Sequence, residues 1–393
     1  MNRKILINKR MLIYFILLFI WIPAYSLYSF IPGANKLLLG LRLLSSIVIL
    51  IKCFGTKMRK EYIILLGFCL VELITTVIHN PENLLNAVEF CMCIMAMCIF
   101  FVNLDYNKQQ QFRKSTVALT LIYIVGSTIV CYSTPSEIRE DLGLHFFISS
   151  RANTAQAMVC LLSIIFALDY KIYGKTQKIS IVILGLTILD MIGLHSGQGI
   201  IMIGIIILTL LVFTKNKSGK LLKILSPAGI GIANVVLNWL IISQAYLKIN
   251  LLTWFITDVL KKDVTLTGRD IIYTNIVAIY LGSPWLGFGY GNSVVENTLS
   301  RFAAGYNSAH NSPFQLLIEV GIIGFAFFFY FVFYILTQLR KAETKQCYVL
   351  YGGIIAFLIG GITSLAYYNI YFYIMIMFCI GMYTNDILKI RRD

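Results

Sequence analysis

Three places in the chain combine a reactive side chain with the start of a helix. In Leu266-Thr267-Gly268-Arg269-Asp270, Thr267 and Asp270 have the spacing of a capping box ahead of the apolar stretch Ile271–Leu281, which puts Arg269 in a helix's first turn. The helix macrodipole is positive there, so an arginine gains in that place only when an anion comes to it. Ser149-Ser150-Arg151-Ala152-Asn153 repeats the arrangement at the head of another apolar segment, although Arg151 could equally snorkel to lipid head groups. The third is Ser308-Ala309-His310-Asn311-Ser312-Pro313-Phe314-Gln315, which reads as Ser312 at the N-cap, Pro313 as first helical residue and Gln315 closing the box. His310 then sits just before a positive helix end, which disfavours protonation and leaves a neutral imidazole able to accept a proton; capping a backbone group is its plainer use. Arginines awaiting an anion beside a neutral imidazole are the chemical content of these residues.

Between them lies Gly282-Ser283-Pro284-Trp285-Leu286-Gly287-Phe288-Gly289-Tyr290-Gly291-Asn292, with four glycines, a proline and three aromatics. Trp285 and Tyr290 suit either an aromatic belt at a membrane surface or a platform on which sugar rings stack, and the residues alone leave both open. Glu319, one to two turns into the helix that follows His310, could hold an acceptor hydroxyl or a neighbouring helix. No metal site is expected: there is no Asp-x-Asp near these motifs, and the nine cysteines lie almost entirely in apolar runs without ligand or disulfide spacing.

The elements that must position these groups are membrane helices. Of the 393 residues 58% are hydrophobic and 13% charged, and the mean hydropathy is +0.79, too little polar surface to cover any soluble core. Windows of about 19 residues predict about twelve spans: 11–30, 36–54, 62–79, 84–103, 115–133, 152–170, 179–195, 197–213, 224–244, 313–335, 347–366 and 367–385. The first has no small-residue cleavage site behind it and reads as a retained helix. With the N-terminus cytoplasmic, every expected inner segment is basic, from Arg3, Lys4, Lys9 and Arg10 to Lys389, Arg391 and Arg392. The net charge of +15 comes in these short clusters, a topological signal and not a nucleic-acid-binding face. The expected fold is thus an all-α polytopic membrane protein: transmembrane helices over 1–244, a large extracytoplasmic loop with short helices over 245–312, and further transmembrane helices with a cytoplasmic tail over 313–393. Arg151, Arg269 and His310 all fall on the non-cytoplasmic side, and loops of that length usually carry function.

The order of these parts resembles the O-antigen ligase and polymerase family, whose members include capsular and exopolysaccharide polymerases. The resemblance rests on Arg151 with Asn153, then Gly268-Arg269, then Pro284-Trp285-Leu286-Gly287-Phe288-Gly289, then His310-Asn311 with Gln315, Glu319 and Gly321-Ile322-Ile323-Gly324, over roughly residues 145–335. At one position the chain departs from similar proteins, which often carry Arg where it has Gln198 in Ser196-Gly197-Gln198-Gly199. The resemblance implies a GT-C-like glycosyltransferase of the bacterial cytoplasmic membrane, acting outside it on an undecaprenyl-diphosphate-linked oligosaccharide, with no metal or other cofactor and with a chain-length regulator as a further partner. His310, Arg269 and Arg151 would be catalytic, the arginines stabilising the diphosphate leaving group and His310 orienting or deprotonating the acceptor hydroxyl. Asn153, Trp285, Tyr290, Asn311, Gln315 and Glu319 would bind substrate. A polymerase and a ligase share this chemistry. A flippase is the alternative from another class, suggested by the intramembrane acids Glu72, Glu89 and Asp190, which could instead pair with Arg42 or with one another.

Overall fold

The computed structural model describes residues 9–24, 31, 33–52, 59–133, 147–215, 225–259, 269–291, 293–301 and 308–390. Among these there is no strand. The helices are α1 (Lys9–Trp21), α2 (Ala34–Lys52), α3 (Lys60–His79), α4 (Leu84–Val102), α5 (Tyr106–Ser133), α6 (Arg151–Tyr173), α7 (Lys178–Gly193), α8 (Gly197–Lys215), α9 (Pro227–Ile242), α10 (Arg269–Leu281), α11 (Ser293–Leu299), α12 (Ser312–Lys341), α13 (Lys345–Gly360) and α14 (Ile370–Ile390). Each expected span overlaps a helix among the described residues, while parts of 11–30, 36–54 and 224–244 lie outside them. Among the described residues six helical segments, which include α2 to α6 and α12, are long and apolar enough to cross a membrane. Others are shorter: α7, α9 and α13 have 16 residues each, about 24 Å of helix against a hydrocarbon core of about 30 Å.

Several boundaries differ from expectation for local reasons. Helix α1 stops at Trp21 and not near residue 30, because Pro23 disfavours helical backbone at Ile22. Helix α5 begins at Tyr106, so Lys108, Arg113 and Lys114 ride its first turns instead of forming a loop, and Arg113 Nε donates to Asp169 Oδ1 at 2.5 Å inside the bundle. The two last spans, expected to abut at 366/367, are separated by the connection 361–369.

Packing follows lipid exposure. Helix α6 is buried nearly throughout, and its neighbours α13 and α14 bury Tyr351, Phe357, Phe372, Tyr373 and Phe378 in one continuous core. By contrast α2, α7 and α9 turn Leu37, Leu44, Ile51, Leu189, Val235 and Trp239 outward. An apolar exterior on a bundle of this composition is a surface for lipid. The described parts of segment 245–312 form their own small core, where Ile272, Tyr273, Ile276 and Ile279 of α10 meet Val295 and Leu299 of α11, Ala309, and Ile318 of α12.

Candidate active site

Helix ends that hydropathy and charge assign to one side do meet in space, and the connection 361–369 is where they meet. Arg269, the first residue of α10, donates from Nη1 to the Thr363 carbonyl at 2.8 Å. The Asn311 amide donates to the Ile362 carbonyl at 3.0 Å, and the Ser312 backbone N–H to that of Gly361 at 2.7 Å. From α8, Gln198 Nε2 donates to Ser364 Oγ at 2.8 Å and to the Gly360 carbonyl at 3.2 Å. From α6, Gln156 Nε2 donates to Ser364 Oγ at 3.1 Å, while Asn369 Nδ2 donates to Asn153 Oδ1 at 3.0 Å and to Gln156 Oε1 at 2.8 Å. One short connection thus fixes four helix starts. Thr363, Ser364 and Asn369, which do this, were absent from the sequence reading, and so was Asn238, whose Oδ1 accepts from Asn311 at 2.7 Å.

The start of α12 differs from the capping box expected for it. Asn311 is the N-cap, in extended backbone, with its side chain accepting from Phe314 N at 3.1 Å. Ser312, one place on, has its hydroxyl donating to the Ser364 carbonyl at 2.6 Å instead. Asn311 outcompetes it because its longer amide reaches the first-turn N–H and still leaves an N–H₂ for Asn238 and Ile362. Gln315 does turn back, but to Ala309 N, which donates to its Oε1 at 2.9 Å. Thr267, Gly268 and the Asp270 side chain, the other expected box, lie outside the described residues.

His310 is placed between these contacts with φ +46°, left-handed backbone that costs a non-glycine residue about 1–2 kcal/mol. Burial first, and the nearby Arg269 charge second, push its pKa down from 6.5 to about 4. The imidazole is therefore neutral at physiological pH, for a stronger reason than the helix end alone. Arg269 has one of its five N–H groups on Thr363 and lies near the hydroxyl of Tyr273, four residues along α10. Arg151 opens α6 on the exposed side of its first turn, behind the Ser150 N-cap, and it is Asn153 that connects this helix start to the cluster.

The glycine-rich segment is docked, by backbone, into a break in α12. At Gly321 (φ +60°, ψ −169°) the helix is interrupted. The freed groups are taken up from outside: Phe288 N donates to the Ile318 carbonyl at 2.7 Å and Gly289 N to that of Glu319 at 2.8 Å, while Ile322 N and Ile323 N donate to the Pro284 and Trp285 carbonyls at 2.9 and 3.3 Å. A Cβ on Gly321 would stand 2.2 Å from the Trp285 oxygen, and one on Gly287 2.4 Å from the Glu319 oxygen, so only glycine permits the contact. Tyr290 N donates to Thr76 Oγ1 at 2.9 Å, and its ring packs against Phe90 and Tyr368. Trp285 is 66% exposed, open to lipid or to sugar.

Asn311, Gln315 and Glu319 are all buried, and the Gln315 amide donates to Glu319 Oε1. Glu72 of α3 faces Glu319 with no hydrogen bond to its carboxyl from any described residue. Glu89, by contrast, pairs with Arg42 at 3.6 Å, as one reading of the intramembrane acids expected.

The helix ends thus gather a cationic and an imidazole side chain around the polar connection 361–369. Residues 179–329 match the family model described as O-Antigen ligase, so the resemblance to the O-antigen ligase and polymerase family is shown over that stretch. It spans Gln198, Arg269, the docked turn, His310, Gln315, Glu319 and Gly321. No curated protein matches the chain.

Proposed function

We propose that the protein is a polysaccharide polymerase, transferring an undecaprenyl-diphosphate-linked glycan onto a lipid-linked repeat unit at the outer face of the bacterial cytoplasmic membrane. In this reading the chain crosses about twelve times with both termini cytoplasmic, segment 245–312 is the outward module, and a chain-length regulator is a partner. The observation that carries it is the pairing of Arg269 with His310. Arg269 at a positive helix end binds the diphosphate, and the acceptor oxygen attacks the anomeric carbon as the bond to the diphosphate breaks. His310 accepts the acceptor's hydroxyl hydrogen, first as a hydrogen bond and then as the proton. No metal ion takes part in the transfer. Since Arg269 is one of the two causes depressing His310, an anion bound to Arg269 offsets it and makes the imidazole a better base when the donor is in place. Arg151 contributes a second cation from α6, and Trp285 a ring face for sugar.

The test is Arg269→Ala, Arg151→Ala and His310→Ala in cells, with membrane insertion checked for each. Each is expected to abolish long-chain polysaccharide, and long chains persisting in a His310→Ala, Arg269→Ala double variant refute the reading. The family description favours one second reading, a ligase that moves a finished glycan to another acceptor. Loss of the gene then accumulates long lipid-linked chains, whereas loss of a polymerase accumulates single repeats.

A further inference from the structure

We propose that Glu319 and Gln315 are positioning residues that set the pose of His310 without touching substrate; this rests on the reading of His310 above. Both side chains are buried, in the first two turns of α12, so contact with a glycan is not their office. They lie four apart on one helix face, and the Gln315 amide bridges two groups: its Oε1 accepts from Ala309 N at 2.9 Å and its Nε2 donates to Glu319 Oε1. An amide is nearly symmetric in shape, and turned the other way it would set its N–H₂ against the Ala309 N–H. What selects the working orientation is Glu319, whose Oε1 accepts from the Gln315 N–H₂ and so leaves the amide oxygen facing Ala309 N.

The consequence reaches His310 through the backbone. Its left-handed conformation persists only if both flanks are fixed. On the far flank Asn311 is held by Phe314 N, Asn238 and Ile362; on the near flank, among the described residues, the Ala309 N–H donates to Gln315. Glu319 is itself tied to the docked turn, because its carbonyl accepts from Gly289 N. A continuous path therefore runs from the glycine-rich turn through Glu319, Gln315 and Ala309 to the imidazole.

The experiment compares Glu319→Gln, Glu319→Leu and Gln315→Leu in the full-length purified protein. One readout is polymerisation kinetics on lipid-linked repeats, and the other is NMR titration of labelled histidines, assigned with His310→Ala among the chain's four. A glutamine at 319 still offers a carbonyl to the Gln315 N–H₂, so this variant should keep activity within about fivefold. Either leucine variant should lower kcat about 10- to 100-fold with KM changed less than threefold. In both, the His310 titration should move from near 4 toward 6.5 as the loosened ring meets water. Equal losses for Glu319→Gln and Glu319→Leu would show that the carboxyl itself handles a proton, overturning the proposal. A raised KM at unchanged kcat would show substrate contact and overturn it as well. Should a leucine variant fail to accumulate, the glutamine variant and the remaining leucine variant decide. If His310→Ala retains polymerisation, the functional reading fails alone, because the titration shift reports the positioning independently of turnover.

Discussion

Replacing Gly321 with alanine should undock the glycine-rich turn while leaving the bundle inserted. Gly321 lies at φ +60°, ψ −169°, a region essentially closed to residues with a Cβ, at a cost of about 1–3 kcal/mol. The added methyl would stand 2.2 Å from the Trp285 oxygen, so the docked backbone must also withdraw. Withdrawal releases four hydrogen bonds between 284–289 and α12, each worth about 0.5–1.5 kcal/mol net. Even at the low end the four bonds, about 2 kcal/mol, and the strain, about 1 kcal/mol, come to about 3 kcal/mol, on the order of a hundredfold in the docking equilibrium. Amide hydrogen exchange in detergent is the direct assay: protection at Phe288 and Gly289 should fall about a hundredfold or more, with α6 and α14 unchanged. Gly204→Ala is the control, because a Cβ there meets nothing within 4 Å. Wild-type protection at Phe288 and Gly289 in Gly321→Ala would refute the argument that the glycine exists for the docked backbone.

Three further outcomes follow from the same contacts. With His310 near 4 folded and 6.5 unfolded, the unfolded chain binds the extra proton between those values, so stability should fall as pH drops from about 7 to 4, by up to about 3 kcal/mol; denaturation against pH should show that slope flatten in His310→Gln. Glu89→Gln leaves the Arg42 guanidinium, buried beside the α1 carbonyl of Ile20, without its carboxylate, and should cost about 3–5 kcal/mol in thermal unfolding, whereas Asp105→Asn breaks only an exposed pair with Lys108 and should cost under about 1 kcal/mol. Asn369→Ala removes the amide shared by Asn153 and Gln156 and should lower polymerisation without altering His310 titration, measured by the same NMR experiment.

What the sequence made legible is what depends on one-dimensional pattern. Each hydropathy segment carries a helix among the described residues, because continuous apolar stretches favour backbones whose hydrogen bonds are satisfied internally. Arg269 and His310 stood out because each falls at a helix start where the macrodipole acts on it, and the structure places the Arg269 charge near His310. The connection 361–369 was invisible for the opposite reason. Gly361-Ile362-Thr363-Ser364 interrupts the hydropathy too briefly for a window of about 19 residues, and the groups that anchor Arg269 and Asn311 are backbone carbonyls, which every residue possesses. Capping failed in a related way at Ser312. Either Asn311 or Ser312 satisfies the local pattern, and the choice was made by Asn238 and Ser364, 73 and 52 residues away.

The glycines show the same division between pattern and contact. Gly287, Gly289 and Gly321 were readable as turn-formers or as part of a family signature, yet each is required by a partner on another element: the Glu319 carbonyl, the Thr76 backbone and the Trp285 carbonyl. The two motifs that sequence could only order along the chain, 284–289 and 321–324, are therefore two halves of one interface. That interface hands the interrupted hydrogen bonds of α12 to the glycine-rich turn, and Glu319, two residues before the break, is a buried acid beside it. A break in α12 that served only flexibility would leave those carbonyls to water. Because Phe288 and Gly289 fill them, the break is rigid, and the helix start carrying His310 is fixed from below by the docked turn and from above by 361–369.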